Sequence, residues 1–379
     1  MTGCGVQSPV GLGVPAFWEA LVAGQSALAP LAHPWAADLA PNVAGQVPWD
    51  DGDDDRAGAL ALRAADEALR DASLAPGEVA PERLGVALGT TLGGMRIFEA
   101  WNVAGGPVPG IDRVPYYAPA VRLAHRYRVR GPVATPQLAC ASGTHALALA
   151  VAWIRAGHAD IVLAGGTDLL CRFVVAGFNC LRATSDAARP FDVRRKGLVL
   201  GEGAAVLVVE SEAHAHARHA RVLARVTGVG AAADAVHMTA PDREGAGAVR
   251  AMGAALADAG RTPADVDFVS AHGTGTPYND AMEATALVRV FGPGAVPVDS
   301  IKGAIGHTLG AAGALEAVLC VRVLASGVAP PTAGLEEVDP ACASLDLIYG
   351  ATRRLSARTV LSTSSGFAGA NAAIVLEGA

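Results

Sequence analysis

The sequence predicts an α/β fold built from two related halves, and three observations carry that prediction. Short apolar runs alternate with longer alanine-rich stretches of helical length, and glycine-rich turns join them. The short runs are apolar at consecutive positions, the pattern of strands covered on both faces. Two strand-turn-helix units also follow the same course, one at Thr135–Gly157 and one at Val298–Gly327. Each sets a chemically capable residue, Cys140 or His307, in a glycine-rich turn ahead of an alanine-rich helix, as a duplicated architecture would.

Taken in order, Val86–Leu88, Thr135–Ala139, Ile161–Ala164, Ala205–Val209, Val266–Ser270, Val296–Ser300, Thr359–Ser362 and Ala372–Leu376 read as strands. Helices are expected at Arg56–Ala72, Gly143–Arg155, Ala246–Ala259, Asp280–Phe291 and Gly313–Ala325; alanine is the strongest helix former. The stretch Ala217–Arg221 is the best division, giving halves 1–219 and 220–379. Asp50–Arg56 holds five aspartates and reads as a solvated loop or helix cap, not a metal site.

Of the 379 residues, 51% are hydrophobic, ample for a large core. No apolar run is expected to be long enough for a membrane span. Met1–Pro9 lacks the basic and long apolar regions of a signal peptide. The net charge of −7 gives no support for a nucleic-acid partner. The six cysteines, Cys4, Cys140, Cys171, Cys180, Cys320 and Cys342, form no CxxC pair and no zinc spacing. A reducing, cytoplasmic compartment is the simplest expectation.

Cys140 precedes a helix, whose first-turn N–H groups and dipole favour a thiolate. The bland alternative is a small buried core residue, the commoner fate of cysteine. His272 ends a strand in AHGTGTPYND, and His307 lies five residues after Lys302 in IKGAIGHTLGAAG. Singly, each histidine is more often a structural hydrogen-bonder. His214, His216 and His219, in an alanine- and arginine-rich helix, are given no role. Cys171, Cys180 and Cys320 read as packing.

The motifs ACASGTHA, AHGTGTP–ND and IKGAIGHTLGAAG, in this order, closely resemble the active-site signatures of elongating β-ketoacyl-acyl-carrier-protein synthases. ARPFDVRRKGLVLGEGAA, DAVHMTAPD and SSGFAGANAAIVLE extend the resemblance over essentially the whole chain. It implies a thiolase-like fold, two duplicated α/β halves in a layered α-β-α-β-α core, usually dimeric. It implies decarboxylative condensation of an acyl thioester with a malonyl unit on an acyl carrier protein, with no metal or redox cofactor. Cys140 is then the nucleophile, and His272 and His307 assist malonyl decarboxylation. Lys302 positions His307, and Glu283 ties the Lys302 loop to the core. Phe367 gates the acyl pocket and supplies an oxyanion-hole N–H beside that of Cys140; Asn371 anchors its loop. Thr239, Thr274, Thr276 and Phe178 line the phosphopantetheine site, and Arg182, Arg63 and Arg126 are candidates for docking the acidic carrier protein.

The sequence departs from the family pattern in four places. Met1 stands where a full first strand normally begins, so that strand is expected to be truncated or to start upstream. Tyr117–Tyr127 is about two helical turns shorter than usual. Lys196 replaces the usual aspartate and Leu198 the usual phenylalanine, and the closing loop reads GFAGAN where GFGGTN is commoner. These changes leave the catalytic set intact and bear on substrate and partner: fatty-acid or polyketide/polyene assembly, as a homodimer or as a heterodimer with a chain-length-factor-like subunit. Two alternatives stay open. One is a thiolase acting on coenzyme A esters, against which the absence of a second cysteine in SSGFAGAN argues. The other is a non-catalytic chain-length-factor-like subunit, against which Cys140 argues.

Overall fold

The computed structural model describes residues 1–49, 52, 55–106 and 110–379. Its frame is two six-stranded sheets. In the first the order is Gly11–Leu12, Gly3–Ser8, Gly203–Glu210, Ile161–Asp168, Leu84–Gly89, Val133–Ala134. In the second it is Ala224–Ala233, Ala370–Gly378, Thr359–Gly366, Phe268–Ser270, Pro297–Asp299, Asp346–Leu347. Read from Gly3–Ser8 in one and from Ala224–Ala233 in the other, the pairings run antiparallel, antiparallel, parallel, parallel. The two halves are therefore the same motif twice, as the paired strand-turn-helix units lead one to expect.

Side-chain alternation along the strands divides three cores. In Gly203–Glu210, Ala205, Leu207 and Val209 face the central core, while Ala204, Val206 and Val208 face an outer one. In Ala370–Gly378, Ile374 and Leu376 turn to the same central core, and Ala373 and Val375 to the opposite outer one. Helices Ser142–Arg155 and Ala312–Ser326 fill the centre, Arg56–Asp71 covers the first sheet, and Ala246–Asp258 with Pro277–Phe291 covers the second. This is the five-layer α-β-α-β-α arrangement expected.

The first strand, Gly3–Ser8, is six residues long and pairs with Gly203–Glu210 at five positions. Two expectations need correction. The expected strand Thr135–Ala139 is irregular; only Val133–Ala134 pairs. Pro136 has no N–H to give a ladder, and Ala139 takes a left-handed conformation at φ 50°, which turns the chain into the next helix. Finally, Leu309–Ser326 is long and apolar enough, by length and composition, to cross a membrane. It is 78% buried between the two sheets, which accounts for its apolarity. Of the aspartate run, Asp50, Asp51, Asp53 and Asp54 lie outside the described residues; Asp55 caps helix Arg56–Asp71 by accepting the Gly58 N–H at 3.1 Å.

Candidate active site

The turns that follow the corresponding strands Val133–Ala134 and Pro297–Asp299 meet between the halves. Ala139, left-handed, presents Cys140 just ahead of helix Ser142–Arg155. The Ser142 hydroxyl fixes this turn, accepting the Leu138 N–H at 2.9 Å and donating to the Ala139 carbonyl at 2.6 Å. Two glycines allow the helix ends to touch. A Cβ on Gly143 would stand 2.7 Å from the Gly310 carbonyl oxygen, and one on Gly313 would stand 1.9 Å from Thr144 Oγ1. The His307 backbone pairs with the first half through His307 N–H to Val199 O at 2.7 Å and Gly201 N–H to His307 O at 2.9 Å.

The structure brings Cys140, His272 and His307 to one cavity of about 330 Å³. The imidazoles meet edge to face, centroids 5.2 Å apart. Lys302 lies behind them, 2% exposed. Its ammonium donates to Glu316, to the His272 carbonyl and, at 3.4 Å, to His272 Nδ1. With Nδ1 accepting, the His272 ring proton sits on Nε2. His307 Nδ1 likewise accepts the Leu309 N–H at 3.4 Å, leaving Nε2 as the donor. Burial first, then the charge of Lys302, holds both imidazoles well below the usual histidine range. The site thus presents two neutral rings, each with an N–H to offer.

Glu283 does not hold the Lys302 loop. Its carboxylate accepts the N–H groups of His272 and Gly273, both at 2.7 Å, and the Thr363 hydroxyl at 2.8 Å, so it fixes the His272 loop, and Glu316 pairs with Lys302. Lys302, in turn, bonds to His272 and not to His307. The reason is geometric: residue 283 lies one helix away, on the side of the His272 turn, while Glu316 stands on the central helix. Sequence reading missed Glu316, although a lone carboxylate in a helix buried nearly all round is itself a signal, because such a charge needs a partner. It also missed Asp168, which closes a fully buried strand. Asp168 gathers the N–H groups of Thr91 (2.9 Å), Leu92 (3.0 Å) and Gly310 (2.7 Å) and the hydroxyls of Thr90 and Thr91. Asp280, with no role assigned from sequence, accepts N–H groups from Phe191, Thr274 and Gly275.

The favoured thiolate is a further correction. Burial pushes the Cys140 thiol up to about 12, against the charge of Lys302 and the N–H groups of Phe367 and of Cys140 itself, which act the other way. The resting group is a thiol, so its proton must leave as the sulfur attacks. The two backbone N–H groups that face the sulfur are placed where an oxyanion at an acylated Cys140 would need donors.

Cys140 also borders a second cavity, of about 390 Å³, lined by Leu92, Phe173, Val174, Leu309 and other largely apolar groups. Phe178 and Phe367 stack at 5.6 Å between the two cavities. The Phe367 loop is held by Asn371, whose amide donates to Asp234 at 2.7 Å and Gly369 O at 3.1 Å and accepts from Ser365 at 2.8 Å. Thr239, Thr274, Thr276 and Arg182 line the first cavity. Arg63 does not: it lies over the Trp49 ring at 4.4 Å, in a separate polar cleft. Arg126 stacks on Tyr127 and lines neither cavity.

The family models for the β-ketoacyl synthase N-terminal and C-terminal domains match residues 1–215 and 223–336. The chain is 39% identical to the ketoacyl synthase alpha subunit of the tetracenomycin polyketide synthase of Streptomyces glaucescens, covering 99% of this chain and 96% of that protein. Among solved structures it is similar to the ishigamide ketosynthase/chain length factor (TM-score 0.94, 36% identity, 100% and 98% covered). It also resembles a structure of a type II polyketide synthase acyl-carrier protein in complex with its ketosynthase bound to the hexaketide (TM-score 0.93, 31% identity, 100% and 98% covered). With its duplicated five-layer fold, the chain belongs to the β-ketoacyl synthase family, acyltransferases that carry out the condensation step of fatty-acid and polyketide biosynthesis.

Proposed function

We propose that Cys140 carries the acyl chain and that His272 and His307 serve the malonyl unit. The observation that carries this reading is the placement of Cys140 at the junction of two unlike cavities. A carrier-bound thioester enters beside Thr239, Thr274 and Thr276. The Cys140 sulfur attacks the thioester carbon, and its proton passes to the carrier's sulfur as that sulfur leaves. The acyl chain then lies in the apolar cavity beyond Phe178 and Phe367. A malonyl thioester follows by the first route. Its carboxylate departs as carbon dioxide, and the enolate oxygen is met by the two Nε2–H groups. The enolate carbon attacks the acyl carbon, whose oxyanion is met by the N–H groups of residues 140 and 367; its collapse breaks the carbon–sulfur bond to Cys140, leaving the β-ketoacyl group on the carrier, and the freed thiolate takes up a proton from water. The test is a pair of rates, acyl loading and malonyl decarboxylation, in three variants. Cys140→Ala should lose loading and retain decarboxylation, whereas His272→Ala and His307→Ala should lose decarboxylation by about 10²-fold or more. Decarboxylation intact in both histidine variants would refute the assignment.

The partner subunit is read from the surface beside the acyl cavity. Val103 is 88% exposed, Phe173 60% and Tyr117 58%, with Tyr116, Val121 and Phe98 also exposed; such a patch marks an interaction face. A second subunit on this face fits the shortened Tyr117–Tyr127 segment, and a chain-length-factor-like partner fits it as well as a second copy. Two ketosynthases similar in structure were solved with a chain length factor and with an acyl carrier protein, and both kinds of partner are proposed here, with Arg182 at the carrier's docking face. We place the division of the halves near residue 219, and the enzyme in the cytoplasm, for which the six free thiols speak.

A further inference from the structure

Five cations stand between residues 182 and 196: Arg182, Arg189, Arg194, Arg195 and Lys196. Three are engaged. Arg189 pairs with Glu336 at 3.7 Å, Arg194 with Asp192 at 2.8 Å and Glu336 at 3.0 Å, and Arg195 with Asp339 at 2.6 Å. Among the described residues, no carboxylate lies within ion-pair distance of Arg182 or Lys196, and both are exposed. These two, and not the other three, line the cavity that holds Cys140 and the histidines. Asp234, on the same wall, is already held by Asn371 and by the Asp242 N–H.

The backbone places the pair on adjoining segments. Thr184 and Leu198 form a parallel bridge, with Leu198 N–H to Ala183 O and Ser185 N–H to Leu198 O both at 2.9 Å. Two residues back along each strand of that bridge stand Arg182 and Lys196. Gly197 sits so close that a Cβ there would lie 2.6 Å from the Ala183 oxygen. The turn is braced from below by buried Asp192, which accepts the N–H groups of Arg194, Glu336 and Glu337 at 2.8, 2.9 and 3.0 Å. Two like charges, neither within ion-pair distance of a carboxylate among the described residues, thus stand on adjoining backbone segments and line one cavity, an arrangement that attracts an anion.

We propose that Lys196, with Arg182 beside it, seats the phosphodiester of the carrier protein's phosphopantetheine arm. This rests on the reading that the arm delivers its thioester to Cys140 through this cavity. The arm is linear, with the thioester at one end and the phosphodiester at the other. With the thioester at the sulfur and the amides along the threonines, the phosphodiester lies at the mouth. The acyl chain lies on the other side of Phe178 and Phe367, away from these cations.

The experiment measures Cys140 acylation from three donors: acyl-carrier protein, free acyl-phosphopantetheine, and acyl-pantetheine, which lacks the phosphate. In Lys196→Gln, kcat/KM should fall about five- to tenfold for the two phosphate-bearing donors, as expected for one lost charge-assisted contact, and stay within about twofold for acyl-pantetheine. Lys196→Arg should restore the difference. An equal fall with all three donors, a fall with the carrier protein alone, or no fall would each overturn the seat, pointing to cavity shape, to protein surface, or to nothing. Wild-type protein that takes acyl groups from none of the donors would overturn the reading of Cys140, and the seat with it.

Discussion

Removing either member of the Lys302–Glu316 pair should cost stability, and removing Lys302 should also cost catalysis. Both side chains are essentially buried, at 2% and 1% exposed. Stripping one partner from such a pair leaves the other charge without compensation, a loss of about 3–5 kcal/mol. In Lys302→Met, Glu316 can take a proton, since burial already raises it above the usual carboxylate range, so the cost falls near the lower figure. In Glu316→Gln, the ammonium keeps the His272 carbonyl and Nδ1 as acceptors, and about 3 kcal/mol is again expected. The double variant has no buried charge to strand and should be less destabilised than the sum of the singles by about 2–3 kcal/mol. Denaturant midpoints measure this. Malonyl decarboxylation, measured on the same proteins, separates structure from chemistry. It should stay depressed by about 10²-fold in the double variant, because nothing then pins the His272 proton to Nε2. Additive stabilities within about 0.5 kcal/mol, or wild-type decarboxylation in the double variant, would refute this account of the pair.

Because burial and Lys302 hold His272 and His307 below the usual histidine range, decarboxylation should show no acid limb near pH 6.5, and a limb there would contradict neutral rings kept neutral by the fold. Stability behaves differently: the unfolded chain binds these protons more readily, so it should fall as pH drops below about 6.5, by up to about 1.4 kcal/mol per pH unit per histidine, as denaturant midpoints at pH 5.5 and 7.5 will show. With the Cys140 thiol pushed up to about 12, its alkylation by iodoacetamide should keep accelerating with pH through 9, and a plateau below pH 8 would reveal a thiolate. Gly143→Ala drives a Cβ to 2.7 Å from the Gly310 oxygen; overpacking of about 1–3 kcal/mol is expected, with loss of condensation, and an unchanged midpoint would show that the two turns are not wedged together.

What the sequence displays and what it hides have physical reasons. The catalytic turns are legible because glycine and small residues are obligatory where two turn-helix units touch, as at Gly143 and Gly313. The central strands are legible because both of their faces are buried, so they read as unbroken apolar runs. Strand Ala224–Ala233 was not expected, because it has few strong β-formers; its Gly228 and Gly230 are there to admit helix Ala246–Asp258, whose Ala255 and Ala251 carbonyls a Cβ would meet at 2.0 and 2.1 Å. The role of Glu283 was misplaced, to the Lys302 loop where it holds the His272 loop, and the Lys302–Glu316 pair was not foreseen, because only the packing of the central helix decides which carboxylate faces the ammonium. The state of Cys140 was misread because a helix N-terminus is visible in sequence and the depth of its burial is not.

The account stands most directly on one mass measurement. The protein is loaded from an acyl-carrier protein, its mass recorded, and malonyl-carrier protein then added. The account predicts a single acyl adduct that maps to Cys140, then vanishes as a β-ketoacyl group longer by two carbons appears on the carrier. An adduct on another residue, or one on Cys140 that malonyl-carrier protein does not discharge, would contradict it.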